Sequence, residues 1–238
     1  MKQPTEQKKN MNLNSRLSKN ILFVAHFLGL LLLGACASPT FRTFHKPIVF
    51  DAERKKLSLE YMENRHNIQQ DSPYIKPKMI VLHWTAIPTF EQTFDAFNSP
   101  VLPGARSGIA SASNLNVSSQ YLIDRDGAIF QLLPDTAFAR HVIGLNYCAI
   151  GVENVGSEKE PLTKAQLKAN EALVRYLAHR YDIEYLIGHY EYKNFRNHAL
   201  WRETNPDYLT EKIDPGVSFM RKIRSRVKDL NLKGAPQS

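Results

Sequence analysis

Of the eight histidines in this 238-residue chain, two stand where chemistry could use them. His83 follows the apolar run Met79-Ile80-Val81-Leu82, and His189 follows Tyr185-Leu186-Ile187-Gly188. Short apolar runs of β-compatible residues predict buried strands. A histidine at the end of such a strand is held rigidly and still reaches the edge of the sheet. Imidazole is the commonest metal ligand, so the pair could hold an ion, or each ring could be satisfied locally in the core. Their wide separation matches no local two-histidine helix motif, so spacing does not choose between these readings. A third run, Ala149-Ile150-Gly151-Val152, ends in Glu153, and buried strands rarely carry an acid without purpose. The remaining histidines invite less. His26 falls in an N-terminal leader, His45 and His66 in a stretch read as a tether, and His179 among charges near a helix end. These four read as solvated or locally satisfied rings.

The elements that must position these side chains can be taken in order. After the strand that ends at His83, Phe90–Phe97 predicts a short helix. Residues 100–113 are small and polar enough to form a surface loop, a plausible wall of a cleft. Ser118–Ile123 alternates into Asp124-Arg125-Asp126-Gly127, a hairpin turn, and Ala128–Leu133 returns as its partner strand. Thr163–Tyr181 is the clearest helix, with Thr163 and Gln166 spaced as a capping box and Leu167, Val174, Leu177 and Tyr181 on one apolar face. Asp182–His189 predicts another strand and Val217–Leu230 a terminal helix with Phe219, Ile223 and Val227 inward. Strands and helices alternate without an internal repeat, so the expected fold is one α/β unit.

The ends bound the setting. Lys2, Lys8, Lys9, Arg16 and Lys19 precede the apolar run Ile21–Leu33, which is short for a membrane span of roughly 20 residues and reads as a secretory leader, residues 1–35. Leu33-Gly34-Ala35-Cys36 resembles a bacterial lipobox, which implies a lipid on Cys36 and cleavage before it. With no Asp after the cysteine, the expectation is a lipoprotein of the outer membrane facing the periplasm. Losing the leader removes about four of the eight net positive charges, and the mild remaining excess fits an anionic polymer better than nucleic acid. Only Cys148 would remain as a thiol, so no internal disulfide can form. Residues 36–76 read as a tether leading into a short helix near Asp51–Arg65, residues 77–231 as the catalytic unit and 232–238 as a tail.

Five motifs in fixed order resemble the type-2, zinc-dependent N-acetylmuramoyl-L-alanine amidases, relatives of the peptidoglycan recognition proteins. They are Ile80-Val81-Leu82-His83-Trp84-Thr85, Ser119-Gln120-Tyr121-Leu122-Ile123-Asp124-Arg125-Asp126-Gly127, Asn146-Tyr147-Cys148-Ala149-Ile150-Gly151-Val152-Glu153, Gly188-His189 and Lys212-Ile213-Asp214-Pro215-Gly216. The resemblance covers about residues 77–220. It implies a mixed central sheet flanked by helices, with one zinc ion at the floor of a surface groove. It implies His83, His189 and Asp214 as the ligands, Glu153 as general acid/base and Lys212 as electrophilic helper. Three protein ligands leave a fourth position open, as a catalytic zinc requires. The reaction implied is hydrolysis of the amide between the lactyl group of N-acetylmuramic acid and L-alanine, in peptidoglycan or muropeptides, by a monomer. The alternative is a lipoprotein of the same fold that binds peptidoglycan without cutting it.

This chain departs from the pattern in two places. His141 stands where relatives carry Ala-Trp-His-Ala-Gly, altered here to Ala139-Arg140-His141-Val142-Ile143-Gly144. An insert, residues 190–211, separates His189 from Asp214 and carries Tyr190, Tyr192, Phe195, Trp201 and Tyr208 among basic residues. His141 and Trp201 are therefore candidate substrate contacts; Tyr121 is a third, which either lines the groove or packs in the hairpin, and the insert is either a substrate-facing wall or a self-packed loop.

Overall fold

A computed structural model describes residues 42–104 and 111–237. These lie in a single unit spanning Phe41–Ser238. The leader and Cys36 fall outside the described residues, as do residues 105–110 of the expected surface loop.

The strands form one six-stranded sheet in the order β1-β4-β3-β5-β2-β6. These are β1 (Thr43–His45), β2 (Met79–Leu82), β3 (Tyr121–Ile123), β4 (Ile129–Gln131), β5 (Ala149–Asn154) and β6 (Tyr185–Gly188). β2 lies between β5 and β6, parallel to both, and all four of its residues are buried. Parallel strands are covered on both faces and read as continuous apolar runs, which is why periodicity alone located β2, β5 and β6. The antiparallel β3–β4 hairpin is closed at Asp124–Gly127, where Gly127 has φ +89° and a side chain would strike the Ala165 carbonyl.

Helices α1 (Ala52–His66), α2 (Phe90–Asn98), α3 (Lys164–Arg180) and α4 (Val217–Arg226) flank the sheet. The capping box at Thr163 and Gln166 is present. One face of the sheet, with Ile80, Leu82, Ile150, Val152 and Leu186, packs on Leu173, Val174 and Leu177 of α3 and on Phe219 and Ile223 of α4. Each fully buried side chain of this size contributes about 1.5–3 kcal/mol. The opposite face, with Met79, Val81, Ala149 and Ile187, is covered by Val142, Leu145, Tyr192 and Phe195.

Residues 42–76 differ from the tether read in the sequence. β1 is an edge strand parallel to β4, and the expected helix is present as α1, capped by Asp51. Leu57, Tyr61 and Met62 of α1 pack with Ile75, Leu115 and Phe138. The buried Arg54 guanidinium donates to the carbonyls of Phe97, Asn98 and Ser99 at 2.7, 3.1 and 2.7 Å, where the helix dipole of α2 favours a cation. The many charges that made this stretch look solvated lie on the outer face of α1. The strand expected over Asp182–His189 is shorter, because Tyr185–Gly188 alone pairs with β2 and His189 opens a 3-10 segment, His189–Phe195.

Candidate metal centre

Register builds the site. Leu82 pairs with Val152 on one side and Gly188 on the other, so the next residue along each chain, His83, Glu153 and His189, falls at one level across three neighbouring strands. Side chains alternate between faces, so these three follow the face of Met79, Ala149 and Tyr185, away from α3 and α4. Asp214 arrives from the turn before α4, and its carbonyl accepts from the Tyr190 N–H at 3.0 Å, which ties that turn to the segment carrying His189. Behind His83, Asn154 Nδ2 donates to the His83 carbonyl at 3.0 Å and is itself held by Asn170.

The ligand-type atoms converge. His83 Nδ1 lies 3.0 Å from His189 Nδ1 and 3.2 Å from Asp214 Oδ2, and the last two are 3.1 Å apart. All three residues are buried and form a group able to hold a metal ion. Tetrahedral ligands about 2.0–2.1 Å from a zinc ion stand roughly 3.3 Å apart, so the triangle fits that ion with little adjustment. Burial first, then the charge of His83, pushes the His189 pKa down to about 4, against the pull of Asp214. The imidazole is therefore neutral near pH 7 and offers a lone pair. Burial disfavours the Asp214 carboxylate, but the two imidazoles beside it, His189 and His83, outweigh that and hold the pKa far below the usual range. A carboxylate and imidazole nitrogens are a donor set suited to zinc.

Glu153 and Lys212 line the same cavity of about 270 Å³ as His83, His189, Asp214 and Trp84. A smaller cavity of about 100 Å³ adjoins it, with His141, His189 and Lys212 common to both and Tyr61, Tyr208 and Thr210 closing its far side. The structure thus brings together His83, His189, Asp214, Glu153, Lys212 and His141. Asp207, the other acid near the motif, is exposed on the insert.

Two expected substrate contacts are not in the cleft. Tyr121 is buried in the core, with its hydroxyl donating to Asp135 Oδ1 at 2.5 Å. Its place on β3 turns the ring toward α3, where Leu173 and Leu177 pack with it. Trp201 lies over Gly144, where a Cβ would come within 2.6 Å of the ring, and stacks near Tyr192 at 6.1 Å. It lines neither cavity of the site. Two aromatics of the insert, Tyr192 and Phe195, pack inward and are fully buried. Only its far end, Tyr208 and Thr210, reaches the cleft. That end is clamped to α1: Arg65 pairs with Glu203 at 2.6 Å and lies 4.5 Å over the Tyr208 ring.

Sequence reasoning missed Arg140 and Asn154. Arg140 lines both cavities, and its guanidinium donates to the Ser113 and Leu115 carbonyls and the Tyr208 hydroxyl. An arginine inside an otherwise apolar stretch, Ala137-Phe138-Ala139, was the available signal. Of the two readings open for His66, solvated or locally satisfied, the structure has the second: the ring is buried and its Nδ1 meets the Arg202 carbonyl.

The mixed sheet thus delivers two imidazoles and a carboxylate, a group able to hold a metal ion, to a cleft beside a second carboxylate and an ammonium. Residues 73–217 match the N-acetylmuramoyl-L-alanine amidase family (Amidase_2), and the chain belongs to that family of enzymes. It is 33% identical over 158 residues to the 1,6-anhydro-N-acetylmuramyl-L-alanine amidase AmpD of Salmonella typhimurium, covering 60% of this chain and 76% of that one. With AmpD of Escherichia coli the identity is 31% over 156 residues, covering 60% and 78%. Among solved structures, the E. coli N-acetylmuramyl-L-alanine amidase AmiD in complex with anhydro-N-acetylmuramic acid-L-Ala-D-γ-Glu-L-Lys is 22% identical, covering 67% of this chain and 61% of that one, with a TM-score of 0.45.

Proposed function

We propose that this enzyme is a zinc-dependent amidase that separates L-alanine from the lactyl group of N-acetylmuramic acid, acting on muropeptides. The observation that carries the zinc assignment is the triangle of His83 Nδ1, His189 Nδ1 and Asp214 Oδ2, 3.0–3.2 Å on each side. Family membership and the AmpD relatives support an amidase acting on muropeptides, and the relatives' activity as 1,6-anhydro-N-acetylmuramyl-L-alanine amidases makes anhydro-muropeptides the first substrates to try.

His83, His189 and Asp214 would hold the ion. When bound, zinc supplies Lewis acidity toward the scissile carbonyl and the attacking water. Glu153, in the same cavity, accepts the proton that water loses and passes it to the departing alanine nitrogen. The Lys212 ammonium, two residues before Asp214, faces the negative charge that develops on the carbonyl oxygen. Half-burial of Glu153 and Lys212 strengthens both effects by limiting water around them.

The test is mass spectrometry of purified muropeptides incubated with the protein, with and without a chelator. Free stem peptides bearing a new L-alanine amino terminus should form, vanish on chelation and return with added zinc. Turnover indifferent to chelation removes the zinc assignment, and absence of new amino termini removes the amidase assignment. We further infer that the mature protein is anchored to the outer membrane through Cys36. Radiolabelled palmitate should then enter the wild-type chain and not Cys36→Ser, and equal labelling would overturn the anchor.

A further inference from the structure

We propose that His141 is a positioning residue: it sets the tautomer of His83 so that Nδ1, and not Nε2, carries the free lone pair. His141 Nε2 lies 3.3 Å from the Ala149 carbonyl oxygen, and His141 Nδ1 lies 3.1 Å from His83 Nε2. A carbonyl can only accept, so the proton of this contact sits on His141 Nε2. A neutral imidazole has one N–H and one bare nitrogen, which leaves His141 Nδ1 as an acceptor. His83 must then donate from Nε2, and its Nδ1, the atom turned toward His189 and Asp214, is left unprotonated. The chain of contacts runs in one direction, from a backbone carbonyl to the ligand atom.

The surroundings are built for this ring. Its backbone N–H donates to Asn146 Oδ1 at 2.9 Å, and the buried Asn146 takes a second bond from Val142 at 2.7 Å. Across from it, a Cβ on Gly151 would come within 2.8 Å of two ring carbons of His141. Gly151 sits mid-strand in β5 without a positive φ, so the backbone does not demand a glycine there; the imidazole does. Glycine in a strand interior weakens it and often marks a close approach of this kind. Gln120 Oε1 accepts from the Gly151 N–H at 2.7 Å, fixing that point of β5 from the other side. A partner that orients a ligating histidine through its far nitrogen commonly contributes 10–100-fold to metal affinity.

This inference rests on the zinc reading only for the identity of the ligand atoms, and its test does not use activity. Metal-free protein labelled with 15N-histidine reports each ring's tautomer, with His83 assigned from a His83→Gln spectrum. Wild-type His83 should be the Nε2–H form and His141 also Nε2–H. In His141→Leu, His83 should shift toward the Nδ1–H form, and zinc affinity measured against a competing chelator should fall by about 10–100-fold. His141→Asn, whose amide oxygen can still accept near the Nδ1 position, should recover most of the loss. A wild-type His83 in the Nδ1–H form overturns the proposal whether or not the variants fold. So does a leucine variant that binds zinc as tightly as wild type, or an asparagine variant as weak as leucine, which would assign the effect to packing. If the zinc-loaded wild type leaves muropeptides intact, the proposed function fails and the tautomer result still stands.

Discussion

Lowering the pH from about 6.5 to 4 should cost this fold stability through one imidazole remote from the metal centre. His66, the last residue of α1, is 1% exposed. Its Nδ1 donates to the Arg202 carbonyl at 2.5 Å, and its Nε2 has no hydrogen-bond partner. A proton added at Nε2 would be buried without an acceptor beside Arg65 and Arg202. Burial is the main cause, opposed by the Arg202 carbonyl and reinforced by the two arginines, and it pushes the pKa down to about 4 from 6.5. The folded pKa lies below the unfolded one, so the unfolded chain takes up the proton first. The contribution is complete above pH 6.5 and is lost as pH falls through 4. A pKa difference of about 2.5 at 1.36 kcal/mol each gives about 3 kcal/mol. The comparison is urea unfolding of wild type and His66→Gln, whose amide can still donate to Arg202 but does not titrate, across pH 7.5 to 4. Subtracting the two curves cancels every other titrating group. The wild type should lose about 3 kcal/mol more than the variant over that window, and parallel curves would refute the reasoning. Because Arg202 belongs to the insert whose end carries Tyr208, acid should also loosen that edge of the cleft before the sheet unfolds.

Other outcomes follow from the site. Glu153→Gln should lower the turnover rate by about 10²–10⁴ while zinc content, read by atomic absorption, stays at the wild-type level; normal turnover would remove Glu153 from the chemistry. Asp214→Ala should lose the ion in a zinc titration and Asp207→Ala should keep it, because only Asp214 meets both imidazoles. Tyr121→Phe should leave KM unchanged and lower unfolding stability by about 1–3 kcal/mol, since it strands the buried Asp135 carboxylate of one donor; a raised KM would return Tyr121 to the substrate.

The strands that carry His83, Glu153 and His189 were legible because each is buried on both faces and therefore continuous in apolar residues. The metal set was not legible from spacing. His83 and His189 are neighbours only through the parallel pairing of β2 and β6, which no local window contains, and it was the ordered motifs that joined Asp214 to them. Tyr121, for which the sequence allowed either a groove wall or hairpin packing, and Trp201 line neither cavity for one reason. An aromatic beside a motif residue says nothing of which face it takes, and β3 turns Tyr121 toward α3 while Gly144 leaves a seat for Trp201. The inner face of α1, where Arg54 and His66 are buried, was not legible because charged neighbours on its outer face disguised it. The insert, for which the sequence allowed a wall or a self-packed loop, has something of both: Tyr192 and Phe195 are buried, and Tyr208 and Thr210 line the cleft.

The level row formed by His83, Glu153 and His189 has a consequence for how the protein is made. Its members come from three segments distant in the chain, and backbone ladders, not loops, bring them abreast. A partial assembly that lacks β2, β6 or the turn bearing Asp214 therefore lacks part of the proposed ligand triangle. On the proposed zinc reading, metal uptake then follows closure of the sheet and does not precede it.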